Sequence, residues 1–174
     1  MNRIRFDSEP ELRDQISESL SEYGWCVETE VYSVCKTGRV DLLAKHPQAG
    51  TFGLEIKYME NYSGKMLGEA MKQVGRYRRL EYNDWNVDYW AILPETENNR
   101  FSHAGTGRGA YHSVMDVFQG TVNQFGIGFL HRQNQEIIYR HVPKEAISLS
   151  RPETIDESDH RRLDRVINER QSTP

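Results

Sequence analysis

The residues of this chain most suited to chemistry are two carboxylates and a lysine, Asp41, Glu55 and Lys57, which follow a D-x(13)-E-x-K spacing. Each carboxylate lies within an apolar run that is typical of a half-buried β-strand, and the turn-forming stretch 46–50 separates the two runs. A β-hairpin is therefore predicted. Because side chains alternate across a strand, Glu55 and Lys57 should share one face, and strand pairing should bring Asp41 beside Glu55.

Two carboxylates in this setting predict a site for a hard divalent cation. Charged groups between apolar strand residues are costly to bury unless they find a partner or a metal. Mg²⁺, with Mn²⁺ as a substitute, binds through one or two carboxylates and keeps water and substrate phosphate as its other ligands. The Lys57 ammonium would then hold an attacking water or offset charge on a phosphorane. The same spacing also occurs by chance in charged chains, so the strand context carries this prediction.

An amphipathic helix precedes the hairpin. The segment 8–20 begins with a serine cap, carries a proline in its first turn and places apolar residues on one face, and Gly24 ends the helix. At 100° per residue, Glu9 falls on the apolar side whereas the other acids of the segment point away. Glu9 is thus either a further ligand of the site or an acid that interacts favourably with the helix dipole.

A second helix, predicted over 64–80, follows the hairpin and carries Gln73 and Tyr77 one turn apart at the edge of its apolar stripe. Lys65, Lys72, Arg76 and Arg79 form a separate basic stripe on this helix. We expect the stripe to face an approaching phosphate backbone, and a merely solvated helix face is the alternative.

The hairpin residues resemble the core of the PD-(D/E)XK nuclease superfamily, with Val40 in place of the family's frequent proline. Glu9 is similar to the glutamate that completes the metal site in archaeal Holliday-junction resolvases. Gln73 and Tyr77, which begin sixteen residues after Lys57, resemble the Q-x-x-x-Y element of RecB-type members. The similarity therefore extends to both helices that flank the hairpin.

The resemblance spans residues 8–93 and implies a restriction-endonuclease-like α/β core, a mixed central sheet flanked by helices, that hydrolyses DNA phosphodiester bonds with Mg²⁺. Asp41, Glu55, the backbone carbonyl of Ile56 and Glu9 would be metal ligands, and Lys57 and Gln73 would complete the catalytic set. The nucleic-acid-binding residues would be Lys65, Lys72, Arg76, Tyr77 and Arg108.

The remaining chain supports the same architecture. Strands are predicted at 87–93, ending at Pro94, and at 126–130 and 136–139, and a helix is predicted over 111–125. The Gly-rich loop 98–110, which carries Arg108, lacks the features of an ATP-binding loop.

Composition sets the outer limits. With 174 residues and 37% hydrophobic content, we expect one nuclease-like domain at 1–150 and a charged tail or short helix at 151–174. No run approaches the roughly twenty apolar residues of a membrane span, and the two cysteines lack metal-ligand spacing, so a cytoplasmic location with reduced thiols is expected. The net charge of −4 does not exclude a DNA partner, since affinity depends on local patches. A homodimer is also compatible with the sequence.

Two alternatives to an enzyme stay open: a nuclease-fold binding module without turnover, and a viral assembly or structural protein in which the motif is accidental. Among nucleases, the Gln73 and Tyr77 pair favours RecB-type enzymes, many of which act on ends or single strands. The small size of the domain and its basic stripe favour an endonuclease that accepts a continuous backbone, and this is our prediction.

Overall fold

A computed structural model describes residues 8–59, 64–96, 126–133, 136–142, 145–161 and 164. In this part of the chain one mixed sheet has the strand order β1-β2-β3-β4-β5-β6-β7, and helices pack on its two faces. The predicted α/β fold with a mixed central sheet is thereby confirmed. The elements are α1 (Glu9–Glu22), β1 (Cys26–Tyr32), β2 (Arg39–His46), β3 (Gly50–Met59), α2 (Gly64–Tyr77), β4 (Tyr89–Thr96), β5 (Ile127–Gln133), β6 (Glu136–Val142) and β7 (Glu145–Ser148).

Helix α1 forms where the sequence predicts it. The Ser8 hydroxyl accepts a hydrogen bond from the Glu11 amide at 3.3 Å, which satisfies one of the free N–H groups of the first turn. Its buried stripe packs on one face of the sheet, and Gly24, with φ of +86°, adopts the left-handed conformation that follows the helix end. The start of α1 is thus fixed by its cap and its apolar face together.

Helix α2 connects the parallel strands β3 and β4 and packs on the opposite face of the sheet. It ends at Tyr77, one turn before the predicted end at Leu80. We call the two buried clusters the α1-side core and the α2-side core. The α1-side core includes Leu12, Ile16, Leu42, Phe52, Leu54, Ile56 and Leu93, and the α2-side core includes Val40, Leu43, Leu67, Val74, Tyr77, Trp90 and Ile92.

Strand β4 continues past its predicted end at Pro94, since its parallel pairing with β3 extends to Thr96. Strands β5 and β6 begin near the predicted positions and each continues three residues beyond its predicted end. Strands β1 and β7 are additional strands at the two edges of the sheet. The predicted helix 111–125 and the Gly-rich loop with Arg108 lie outside the described residues. Neither α1 nor α2, the helices described here, has the length and hydrophobicity to cross a membrane.

The beginning of the predicted tail is docked on the domain. Ile155 is 5% exposed in the α1-side core. One ring nitrogen of His160 contacts the Tyr89 hydroxyl at 2.7 Å, and its other ring nitrogen lies 2.7 Å from the Gln48 carbonyl oxygen. These contacts connect the segment after β7 to the β2–β3 turn and to the start of β4.

The close approach of Trp90 to Gly53 in β3 gives the first testable prediction. A Cβ atom at Gly53 would lie 2.6 Å from the Trp90 ring, so Gly53→Ala forces a packed aromatic side chain to move. We expect a loss of about 1–3 kcal/mol in the free energy of unfolding, measured by urea denaturation. Gly75→Ala on α2 is the matched control, because nothing lies within 4 Å of that added methyl group and alanine favours helix. Equal stability of the Gly53→Ala variant and the wild type would contradict this packing.

Candidate functional site

The site lies where β2 and β3 part. Their described pairing ends at Leu42, and two N–H groups further along β3 donate to carboxylates instead of to the carbonyl groups of a neighbouring strand. The Ile56 amide donates to Asp41 Oδ2 at 2.8 Å, and the Tyr58 amide donates to Glu9 Oε2 at 3.3 Å. Because alternate residues of a strand point their N–H groups to the same side, both carboxylates lie in the gap that β2 leaves.

A distortion shared by β1 and β2 places Asp41 in this gap. Glu30 of β1 adopts φ of +54°, and the register skips both Glu30 and Asp41 between the neighbouring pairs. Val40 then packs in the α2-side core and Leu42 in the α1-side core, although residues two apart in a regular strand share a face. Glu30 also forms ion pairs. No sequence pattern predicts its left-handed conformation, because this conformation is uncommon for glutamate.

Glu30 forms ion pairs with two arginines through one carboxylate oxygen. The Arg13 and Arg39 guanidinium groups lie 3.0 Å and 3.1 Å from Glu30 Oε1. Arg13 comes from α1 and Arg39 from the start of β2, so this cluster connects the first helix to both distorted strands. It stabilises the left-handed residue that lies opposite Asp41.

Glu55 and Lys57 project from the α2 face of β3, as the alternation predicts. Glu55 is 1% exposed, its Oε1 lies 2.6 Å from Lys57 Nζ, and its Oε2 is buried without a hydrogen-bond partner among the described residues. Lys57 Nζ also lies 3.6 Å from Glu9 Oε1. The lysine therefore bridges an acid on β3 and an acid at the start of α1.

The electrostatics of this group are dominated by burial and by an excess of carboxylates. Burial, followed by the neighbouring Asp41 carboxylate, raises the pKa of Glu55 to about 8, and Lys57 offsets only part of this rise. Burial lowers the pKa of Lys57, but the carboxylates of Glu55, Glu9 and Asp41 outweigh it and raise that pKa above its usual value. The site thus holds three acids around one ammonium.

The donors fit a hard cation with few protein ligands. In the described ranges no three or more His, Cys, Asp or Glu side chains are grouped to hold a metal ion. Asp41 and Glu55 lie in the gap region, and the Ile56 carbonyl points to the same side as its N–H, toward Asp41. Two carboxylates, one carbonyl and water form a donor set suited to Mg²⁺ or Mn²⁺. Glu9 is engaged by Lys57 and Tyr58 and does not join such a group.

Gln73 and Tyr77 lie on α2 and face inward, and Tyr77 lies close to the acids of the site. The half-buried Gln73 side chain hydrogen-bonds the Tyr77 hydroxyl. Burial and then the charges of Glu55 and Asp41 raise the pKa of Tyr77. Because Tyr77 is only 7% exposed, its position suits packing beside the carboxylates and does not suit the direct contact with DNA predicted for it.

Three of the four residues of the predicted basic stripe lie on the surface of α2, whereas Arg79 follows the end of this helix at Tyr77. Lys65, Lys72 and Arg76 are exposed. The Arg76 guanidinium donates to the Thr37 carbonyl, so it is tied to the β1–β2 loop, residues 33–38. Arg108 lies outside the described residues.

Comparisons with known proteins give no family. No protein-family model matches the chain, and a search of the curated proteins gives no significant match. Among solved structures, the chain is similar to SPO1766, a protein of unknown function from Silicibacter pomeroyi, with 12% identity, coverage of 97% of this chain and 98% of the other, and a TM-score of 0.41. It is also similar to AF1548, a protein of unknown function, with 12% identity, coverage of 94% and 97%, and a TM-score of 0.36. At these scores the likeness carries no argument.

The crowded acids give a prediction about stability. Asp41→Asn removes a charge beside buried Glu55, while the asparagine carbonyl can still accept the Ile56 N–H. We expect the variant to unfold at a higher temperature in EDTA at about pH 9, where Glu55, with its pKa of about 8, is ionised and repelled by Asp41, and the gain should be about 0.5–2 kcal/mol. Calorimetry or thermal circular dichroism measures the change.

The control for this substitution is Asp88→Asn. Asp88 Oδ2 also accepts an N–H of β3, that of Thr51 at 2.8 Å, but away from Glu55. It should bring no gain in stability. A gain of equal size in both variants would show that charge repulsion at Asp41 is not the cause.

Proposed function

We propose that this chain is a Mg²⁺-dependent deoxyribonuclease with a restriction-endonuclease-like core of the PD-(D/E)XK kind. The observation that carries the proposal is the buried Glu55 carboxylate beside Asp41, with one oxygen unpartnered among the described residues and the other bound to Lys57. A buried, incompletely paired acid destabilises a fold, so its presence favours a role in binding a cation.

Asp41, Glu55 and the Ile56 carbonyl would hold the ion in this proposal. Mg²⁺ bound there would neutralise the two acids and polarise the phosphodiester that is cut. Glu9 has a different role, since its two oxygens contact Lys57 and the Tyr58 amide. It is a positioning residue that keeps the lysine at the gap.

Lys57 acts as a cationic hydrogen-bond donor. The surrounding carboxylates raise the pKa of Lys57 above its usual value, which favours the protonated amine. It orients the attacking water and stabilises charge on the phosphoryl oxygens. The water oxygen gives up a proton to solvent as it bonds to phosphorus, one phosphorus–oxygen ester bond breaks, and the departing oxygen receives a proton from solvent.

The α2 face supplies the approach for DNA. Lys65 and Lys72 are exposed on the helix that packs on the same face of the sheet as Glu55. Such contacts bind phosphates without reading sequence and allow a continuous backbone to lie across the site. Gln73, through its hydrogen bond to Tyr77, supports the buried side of this helix.

The first prediction for this function concerns the charged residues of the gap. Asp41→Asn, Glu55→Gln and Lys57→Ala should each lower DNA cleavage in Mg²⁺ about a hundredfold or more, because each removes a charge needed in the transition state. Cleavage of labelled DNA is measured with Mg²⁺, Mn²⁺ or EDTA, and the fold is checked by circular dichroism. Matched controls are Glu28→Gln on β1 and Lys45→Ala on β2, which are exposed and should cleave as the wild type does. Normal cleavage by the Glu55→Gln variant would refute the site.

A second prediction separates positioning residues from ligands. Glu9→Gln and Gln73→Ala should lower cleavage about ten- to a hundredfold through their partners Lys57 and Tyr77, with Mn²⁺ affinity kept within a few-fold of the wild type. Mn²⁺ binding is measured by calorimetry. Glu18→Gln, an exposed acid on the same helix as Glu9, is the control. Loss of Mn²⁺ binding in Glu9→Gln would instead make Glu9 a ligand.

The third prediction concerns the mode of cutting. Covalently closed circular DNA should be cleaved, and the rate should fall steeply as salt rises because phosphate contacts release counterions. Lys72→Ala should reduce the salt dependence, whereas Lys45→Ala should leave it unchanged. Digestion of linear DNA from its ends with circles left intact would overturn the endonuclease assignment.

A nuclease-fold DNA-binding module without turnover is the second candidate. One observation favours it. Lys57 forms an ion pair with Glu9, which leaves the carboxylates of Asp41 and Glu55 near the gap, and the described residues contain no group of three or more His, Cys, Asp or Glu side chains that could hold a metal ion. DNA binding that is unaffected by Mg²⁺ or by Asp41→Asn, together with no cleavage of any DNA form, would select this candidate.

A further inference from the structure

A cleft of about 410 Å³ opens on the α2 face of the sheet, between the end of α2 and the start of β4. This volume lies in the range of small-molecule pockets. Three aromatic residues form part of its lining, and polar residues of the 81–86 segment form another part. The aromatic lining residues are Tyr82, Trp85 and Trp90, and the polar ones include Asn83, Asp84 and Asn86.

The cleft lies next to the proposed reaction centre. The Trp90 ring covers Gly53, where an added Cβ would approach it to 2.6 Å. Gly53 and Glu55 lie on the same face of β3 two residues apart, a separation of about 7 Å. The Tyr77 ring, whose pKa is affected by Glu55, lies 6.4 Å from the Trp90 ring. Trp90, the floor of the cleft, therefore packs on Gly53, and the Glu55 carboxylate is the next side chain along the same face of β3.

The cleft is unsuited to a phosphate and suited to a flat neutral group. Its described lining contains two acids, Glu81 and Asp84, against one cation, the half-buried Arg78. The partly buried Trp85 offers an aromatic surface for stacking, and the buried Trp90 forms the floor of the cleft. Carboxylate and amide oxygens accept hydrogen bonds from the exocyclic amino groups of cytosine, adenine and guanine, which thymine lacks.

The edge of the cleft is hydrogen-bonded to the loop that precedes the strand carrying Asp41. The Val34 amide donates to the Glu81 carbonyl at 2.8 Å, and Val34 is 56% exposed at the edge of the cleft. The β1–β2 loop thus contacts the cleft and leads directly into β2. A nucleotide unstacked from its neighbours can place its base in the cleft while its phosphate remains near Glu55.

We propose that this cleft binds an unpaired nucleobase carrying an exocyclic amino group, in the strand whose phosphate lies at Glu55 and Lys57. The proposal rests on the proposed function and specifies its substrate class: DNA with an extrahelical or single-stranded nucleotide beside the bond that is cut. The base stacks on Trp85, and Asp84 with the neighbouring amides contacts its edge. Fully paired duplex DNA cannot offer such a base.

Binding without turnover tests this assignment. Affinities are measured by fluorescence anisotropy in EDTA at fixed salt, for a duplex and for the same duplex with one unpaired cytosine. The wild type should bind the second DNA more tightly. Trp85→Ala should lose about five- to 150-fold for the DNA with the unpaired base, as expected for loss of one stacked base, and should leave duplex affinity unchanged. Trp85→Phe should retain most of the preference.

Specificity gives a second readout. Asp84→Asn should reduce the preference for an unpaired cytosine over an unpaired thymine, since it removes the charged acceptor for the amino group. Tyr32→Ala, which truncates an aromatic ring 56% exposed on β1 and outside the cleft, is the control and should change neither affinity. If Trp85→Ala impairs folding, the Trp85→Phe and Asp84→Asn comparisons decide.

Two results would overturn the assignment: equal wild-type affinity for the two DNAs, or an equal loss for both in Trp85→Ala. Neither depends on cleavage, so absence of cleavage in Mg²⁺ bears on the proposed function alone. A nuclease that cuts DNA but shows no preference for the unpaired base would retain the proposed function and exclude this site.

Discussion

The hydrogen bond from the Ile56 amide to the Asp41 carboxylate organises the region that we propose as the reaction centre. A strand in the middle of a sheet must satisfy its N–H and C=O groups on both sides, and β3 loses its β2 partner beyond Leu42. A carboxylate can replace the missing acceptor, but it brings charge into a half-buried place. That one replacement opens the gap, fixes Asp41 and leaves the Ile56 carbonyl directed at it.

The rest of the fold must offset the free-energy cost of burying charge in the gap. Glu55 is almost fully buried beside Asp41, and Lys57 is the cation that the described residues place against it. Burying such a group without full pairing costs stability, and well-packed sheet faces on either side offset that cost. The α1-side and α2-side cores share the strands that carry the acids, so the site lies between two well-packed faces of the sheet. This combination of local strain and strong surrounding packing is typical of functional sites.

Elements distant in sequence meet at this gap. The first residue of α1, Glu9, reaches β3, while Arg13 of the same helix forms an ion pair with Glu30, whose backbone is left-handed. On the opposite face, Arg76 of α2 holds the β1–β2 loop through Thr37. The loop also contacts the cleft floored by Trp90. Changes at any of these contacts would therefore alter the position of Asp41, which gives the proposed base site a physical connection to the proposed metal site.

Several parts of the fold and of the site follow from local patterns of residues. Alternation of apolar residues predicts β2 and β3, the serine cap and helical period predict α1, and the same periods place Glu55 and Lys57 on one face and Glu9 on the inner side of its helix. These features are local because backbone geometry alone decides which side chains share a face. The chemical roles of these residues stay predictions.

Other features of the fold and of the site depend on long-range contacts. Strand β1 is an exposed edge strand that forms through pairing with β2. The end of α2 is set by the turn that follows Tyr77 rather than by its helical period. The left-handed backbone of Glu30, the engagement of Glu9 by Lys57 and the burial of Tyr77 all depend on contacts between residues far apart in the chain. Long-range packing sets these features, and no local pattern encodes it.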